Sequence, residues 1–204
     1  MSGLIYIEYI SRRPGVDLAT FYAGVRKGQE GWDSSYGEDR LVLNVGRTWR
    51  VGPEPEYLGV WYSPGASLDR IDAWDRIFRD GGATHLDEAF RWVARIDAAG
   101  CYEPLIEPVH ARHGTYYIEF FRPTGTLDAI RTFFAERADR HPRFTLNLLV
   151  CRIGRLGPEP GGLAVWTIPD FAALAEIAQE LDAAQRPIEL VTAGTYADTG
   201  CEIL

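Results

Sequence analysis

Short stretches in which apolar and polar side chains alternate are the first pattern along the chain, and a period of two is typical of β-strands. IYIEYI, which starts at Ile5, shows this pattern, and YYIEFF, which starts at Tyr116, repeats it. One face of each stretch is apolar, and the other carries tyrosine and glutamate. The apolar face consists of Ile5, Ile7 and Tyr9, matched by Tyr116, Ile118 and Phe120; the other consists of Tyr6 and Glu8, matched by Tyr117 and Glu119.

Between these stretches the apolar positions change to helical spacing, three or four residues apart. GVDLATFYAGV and SLDRIDAWDRIF show this spacing in the first half, and TLDAIRTFFAERA and DFAALAEIAQEL show it in the second. Asp170, which opens the last segment, is a residue type favoured at the N-cap of a helix. Each half of the chain therefore predicts the order strand, helix, strand, strand, helix, strand.

A proline-rich corner occurs twice and fixes the alignment of the halves. GPEPEYLGVW starts at Gly52 and GPEPGGLAVW at Gly157, so that Trp61 falls on Trp166. Proline lacks an amide donor and fixes its own φ, which places the corner in a connection between strands. We expect a structural turn there rather than a binding loop.

The doubling predicts an α+β fold of two tandem ferredoxin-like repeats, βαββαβ, whose antiparallel sheets pack into an α/β barrel. We place the first repeat at residues 1–108, with an extra helix around 84–97. A linker at 109–113 leads to the second repeat at 114–204.

The two strand faces pack in different environments in such a barrel. We expect the more aliphatic face to pack against the helices. The tyrosine and glutamate face would then line a lumen between the two sheets. On this assignment the residues that shape the lumen are Tyr6, Tyr117, Trp61 and Trp166.

Three segments of the first half, IYIEYISRRPG, YLGVWYSPGASLDR and YEPLIEP, resemble the NIPSNAP-type pattern within the dimeric α/β-barrel superfamily. The whole chain is similar to fused, tandem members of that superfamily. The superfamily includes cofactor-free monooxygenases, cyclases, lyases, haem-binding proteins and members with no known activity. The resemblance thus implies either a small-molecule barrel or a NIPSNAP-like assembly protein.

Glu8 and Glu119 are the best acid and base candidates, because a carboxylate in the middle of a hydrophobic strand is costly unless it is paired, protonated or facing a wet cavity. Arg47 and Arg152, which also match each other, are the expected partners. One interpretation is a symmetric pair of Glu to Arg contacts that docks the sheets. The other is a general base of raised pKa, with an arginine that holds an anionic group of the substrate.

Insertions distinguish the first half from the second. A polar, glycine-rich stretch with Trp32 and Tyr36 predicts either a lid that contacts the ligand or a plain surface loop. His85 would lie in the first turn of the extra helix and is the candidate ligand for haem, which is the alternative cofactor. His110 and His113 lack an accompanying carboxylate or cysteine cluster, so we expect no metal site.

The overall charge limits the partners. The formal net charge of −8 makes nucleic acid a poor partner, because phosphate binding needs concentrated positive charge. No apolar run is long enough to cross a bilayer, and the N-terminus lacks signal-peptide features, so we expect a cytoplasmic protein without a membrane partner. The three cysteines are widely spaced and are expected to stay reduced.

These patterns favour a protein that binds a small, apolar or aromatic molecule between its sheets, without a cofactor. The reaction would be that of a cofactor-independent monooxygenase, a cyclase or a lyase. The alternatives are a non-enzymatic assembly or interaction protein, whose lumen its own side chains fill, and a haem-binding barrel. The sequence leaves open whether the chain also forms a homo-oligomer.

Overall fold

The computed structural model describes residues 3–35, 39–48, 55–79, 90–109, 114–178 and 186–199, and of residues 29–35, 74, 75, 77–79, 177 and 178 it describes the backbone alone. The described part of the first half contains β1 (Gly3–Arg12), α1 (Leu18–Ser35), β2 (Arg40–Arg47), β3 (Tyr57–Pro64), α2 (Asp69–Arg79) and β4 (Ala94–Pro104). The described part of the second half contains β5 (Thr115–Pro123), α3 (Leu127–Arg140), β6 (Thr145–Arg152), β7 (Gly162–Ile168), a 3-10 turn (Phe171–Ala173), α4 (Leu174–Ala178) and β8 (Ile188–Asp198).

The eight strands form a closed, antiparallel barrel in the order β1-β3-β2-β8-β5-β7-β6-β4. Each half contributes four neighbouring strands with equivalent connections, and the halves join where β2 pairs with β8 and β4 with β6. Closure leaves no strand edge exposed to a second chain. The predicted α+β fold of two ferredoxin-like repeats is confirmed. The division into domains at residues 108 and 114 stays a prediction.

The barrel interior is filled with side chains. One buried cluster takes residues from all eight strands, and Ile7, Val60, Ile118 and Val165 in it are inaccessible to solvent. The expectation that this aliphatic face packs against the helices is therefore wrong. Eight strands exclude water from the enclosed space on every side, which makes the interior the best place for side chains that need no hydrogen bond.

The opposite strand face packs against the helices. Phe134 on α3 and Trp166 on β7 belong to one cluster of that outer layer, and Phe21 and Val25 on α1 belong to another. Both helices start at a side-chain cap: Asp17 accepts a hydrogen bond from the amide of Thr20, and Thr126 accepts one from the amide of Ala129. These caps fix which helical positions reach the sheet.

The second copy of the proline-rich corner lies on the seam between β4 and β6. Gly157 has φ +149°, a region that favours glycine, and a Cβ on Gly100 would stand 2.7 Å from the Gly157 Cα. The Cys101 amide donates to the Leu156 carbonyl across 2.7 Å. This copy is thus a structural turn that closes the barrel, while the first three residues of the first copy (52–54) lie outside the described residues.

The extra helix predicted around 84–97 is partly contradicted. Residues 80–89 lie outside the described residues, but Ala94 already begins β4, where residues 94–96 pair with β1. Within the described ranges, the search for a helix long and apolar enough to cross a membrane finds none.

Candidate functional site

Glu119 lies in the outer layer of the second half and is held by two partners. Arg137 on α3 donates from Nη1 to Glu119 Oε2 across 2.7 Å, and Trp166 donates from Nε1 to the same oxygen across 3.0 Å. Both members of the ion pair are almost fully buried, with 4% and 1% of their side-chain surfaces exposed. The Arg137 guanidinium also lies 5.4 Å from the centre of the Trp166 ring, within cation–π range.

Glu8 occupies the equivalent position of the first half. Trp61, the counterpart of Trp166, donates from Nε1 to Glu8 Oε2 across 3.3 Å. Glu8 is half-buried and has no ion-pair partner within the part of the chain that the structure describes. Gly59, which pairs with Glu8 across the strands, stands where the second half has Ala164.

The difference between the two sites comes from one helical position. Arg137 is the eleventh residue after its cap Thr126, and the eleventh residue after Asp17 is Gly28. The buried positions of the helices agree with this alignment, because Ile130 and Phe134 correspond to Phe21 and Val25. A Cβ on Gly28 would stand 3.8 Å from the Cβ of Phe90, which is an ordinary contact.

The proton affinity of Glu8 is unusual. Burial raises the pKa of Glu8 to about 7, and the hydrogen bond from Trp61 opposes that rise. Burial also raises the pKa of Tyr6 well above its usual value, and the neighbouring Glu8 charge adds to the effect. At neutral pH the site thus combines a carboxyl that is half ionised with a phenol that stays protonated.

The predicted arginine partners are elsewhere. Arg152 donates from Nη1 to the Gly157 carbonyl across 2.8 Å and pairs with Glu159, so it holds the corner and not Glu119. Arg47 lies opposite Tyr196, where β2 meets β8. The two arginines are at the ends of strands, on the seams between the halves, whereas Glu8 and Glu119 are in mid-strand. The expectation that Arg152 pairs with Glu119 is wrong, because α3 brings Arg137 closer.

The predicted aromatic residues line the helix side and not the lumen. Tyr6 and Ile71 of α2 pack against one buried cluster, and Tyr117 shares a second cluster with Trp166 and residues of α3. Trp61 is on the same side, as its bond to Glu8 shows. The structure therefore brings the predicted residues together within each half but separates the two halves by the filled interior. The side chain of Trp32, all of Tyr36 and all of His85 lie outside the described residues.

A separate concave surface lies at the start of α2 and has a volume of about 440 Å³. Its buried carboxylate, Asp39, accepts a hydrogen bond from Ser63 across 2.5 Å and forms an ion pair with Arg70 across 3.0 Å. These contacts satisfy Asp39 within the protein. The surface thus has a structural role that anchors α2 to β3.

Sequence reasoning missed Arg137 and Gly28. Both lie on helices whose periodic signal comes from their apolar stripes. An arginine or a glycine at such a position stands out only when the two halves are compared. Alignment on the caps Asp17 and Thr126 was the available signal, because it places an arginine opposite a glycine at one buried position.

Comparisons with known proteins identify the fold. No family model matches the sequence, and no curated protein sequence does. A solved structure assigned as a chlorite dismutase has a TM-score of 0.62 at 12% identity and covers 98% of this chain and 97% of its own. A second solved structure, assigned as a monooxygenase from Lactobacillus acidophilus, has a TM-score of 0.54 at 12% identity and covers 100% of both chains. A haem-binding protein from Thermus thermophilus has a TM-score of 0.60 at 10% identity, and the match covers 97% of this chain and 91% of its own. The chain shares the α/β-barrel fold of these proteins.

The comparisons overturn the expectation of a protein without a cofactor, because one of these neighbours is described as haem-binding. The described residues provide little for a haem. The interior is filled by side chains, and His141, the one histidine in the described ranges, lies at the end of α3 with its ring 5.4 Å from that of Phe144. These residues do not fit a haem, so no chemical step is derived through that group.

Proposed function

We propose that this protein binds a small, largely apolar or aromatic molecule between its first half-sheet and the helices that cover it, beside Glu8. The observation that supports the proposal is the contrast between two equivalent glutamates. Glu119 is closed off by Arg137, whereas Glu8 is half-buried and the helix position equivalent to Arg137 is Gly28. The sequence predicted this site in the lumen, and we propose instead that it lies in the outer layer of the first half.

Glu8 would give this site its chemistry. A carboxyl with a pKa of about 7 is present in both protonation states at neutral pH, so it can accept a proton from a bound molecule and return it. Trp61 orients the carboxylate through its indole N–H. Proton transfer of this kind would serve a cyclase or a lyase. A cytoplasmic location remains part of the proposal.

The filled interior favours the non-enzymatic alternative for one part of the molecule. A barrel whose lumen is filled by its own side chains cannot hold a substrate there. An assembly or interaction protein would not need such a cavity. The NIPSNAP-like assembly role therefore remains the rival, and it predicts no binding of small molecules beside Glu8.

Haem is a second candidate ligand, which the haem-binding neighbour favours. Its candidate axial ligand is His85, outside the described residues. The purified protein should be titrated with haemin and its Soret band recorded. A band that His85→Ala removes, while His141→Ala keeps it, would support haem binding; the absence of a band would exclude it.

Titration calorimetry tests the main proposal with three probes that share a naphthyl ring: 1-naphthol, 1-naphthoate and 1-naphthylmethylamine. Gly28→Arg places in the first half the residue type that closes the second, and Gly28→Ala is its matched control. We expect at least one probe to bind the wild type and Gly28→Ala, and to lose about tenfold or more of its affinity in Gly28→Arg. If no probe binds, or if Gly28→Arg binds as the wild type does, the proposal fails.

A further inference from the structure

The second half of the protein shows what a glutamate and a tryptophan in this arrangement bind. Glu119 and Trp166 together hold the guanidinium of Arg137, the carboxylate through an ion pair of 2.7 Å and the indole ring at 5.4 Å. A planar cation between a carboxylate and an aromatic face gains from both the charge pair and the ring quadrupole. The cation in this case belongs to the chain itself.

The first half retains the carboxylate and the indole but not the cation. Glu8 and Trp61 keep the hydrogen bond between indole and carboxylate, at 3.3 Å. Gly28 has no side chain to reach them, and no ion pair to Glu8 forms among the described residues. A carboxylate that is partly removed from water without a counter-ion is costly, and a cation brought by another molecule would relieve that cost.

We infer that the ligand of the first half carries a guanidinium or ammonium group, which occupies the place between Glu8 and Trp61 that the Arg137 side chain takes between Glu119 and Trp166. This inference rests on the proposed function and names the ligand class for that site. The remainder of the ligand would lie against apolar surface, since the half-buried Phe90 adjoins Gly28 on α1.

The charge of the whole protein agrees with a cationic ligand. The net charge of −8 produces a negative field that raises the local concentration of small cations and lowers that of anions. Arg26 and Lys27 precede Gly28 on α1, but both are exposed. An anionic ligand would instead meet the Glu8 carboxylate at close range without a compensating group among the described residues.

The test compares probes that share a naphthyl ring and carry a positive, neutral or negative substituent. Titration calorimetry at pH 8 would use 1-naphthylmethylamine and 1-naphthylmethylguanidine as cations, 1-naphthol as the neutral probe and 1-naphthoate as the anion. The protein variants are the wild type, Glu8→Gln, Gly28→Arg and Gly28→Ala. We expect the cations to bind the wild type about tenfold more tightly than naphthol, and naphthoate to bind most weakly. Glu8→Gln should remove the preference for cations and keep the binding of naphthol.

The pH dependence provides a second readout. Affinity for the cations should fall between pH 8 and pH 6 as Glu8 takes up a proton. Among the described residues, the other titratable groups near this site are Tyr6 on β1 and Cys101 on β4, and burial raises the pKa of each, so neither ionises in that range. The affinity for naphthol should stay constant over the same range.

The outcomes separate the two proposals. If all probes bind with similar affinity and Gly28→Arg blocks them, the binding site stands and its cation preference is refuted. If naphthoate binds best, the inference is also overturned. If no probe binds while the circular dichroism of each variant matches that of the wild type, both the site and its ligand class are wrong.

Discussion

Arg137 Nη1 lies 2.7 Å from Glu119 Oε2, and the two side chains together form a buried ion pair in the outer layer of the second half. Removal of one partner leaves the other charge buried and uncompensated, which is far more costly than the pair itself is stabilising. Loss of either partner should therefore be strongly destabilising.

Arg137→Ala should lower the free energy of unfolding by about 3–5 kcal/mol. Arg122→Ala is the matched control, because Arg122 pairs with Glu189 on the surface, where both side chains are at least half exposed. That change should cost less than about 1 kcal/mol. Urea denaturation of both variants gives the comparison. Equal losses would contradict a buried role for Arg137.

The stability of the protein should depend on the ionisation of Glu8. The pKa of Glu8 is about 7 in the folded protein, compared with an ordinary value of 4.5 for a glutamate, so folding favours the protonated form. This contribution is complete below pH 4.5 and is lost as the pH rises through 7. Relative to Glu8→Gln, the wild type should lose on the order of 2 kcal/mol between pH 5 and pH 8. Denaturation curves across that range measure it, and a constant difference would show that the Glu8 pKa is not raised.

Two glycines should respond to alanine in opposite directions. A Cβ on Gly100 would stand 2.7 Å from the Gly157 Cα, so Gly100→Ala must separate β4 from the corner and should cost about 1–3 kcal/mol. Gly28→Ala adds a methyl group that fits within α1 and should stabilise the protein by about 0.5–1 kcal/mol. Thermal melting of both variants tests the packing of the seam. A neutral effect of Gly100→Ala would mean that the corner does not contact β4.

Arg137→Gly should create a second cation site of the kind inferred for the first half. It leaves Glu119 and Trp166 in place and removes the guanidinium between them. Ethylguanidinium should raise the melting temperature of Arg137→Gly and have little effect on Arg137→Ala combined with Glu119→Gln. Sodium chloride at equal ionic strength is the control. A shift that is the same in both variants would argue against a specific site.

The sequence by itself determined the order of elements, the equivalence of the halves and the fact that Glu8 and Glu119 occupy matched positions. These features depend on local periodicity and on a repeated motif, which the chain carries whether or not it is folded. Alternation also gave two strand faces correctly. It did not tell which face is enclosed, because the direction in which a sheet curves depends on how eight strands close.

The tertiary structure decided the partners. Arg137 and Glu119 are 18 residues apart and on different elements, and they meet because α3 packs against the outer face of the second half-sheet. Arg152 matches Arg47 in sequence but contacts the corner, since a strand end lies on the seam and not over the middle of the sheet. A sequence thus specifies which side chains are equivalent, whereas packing in three dimensions determines which of them touch.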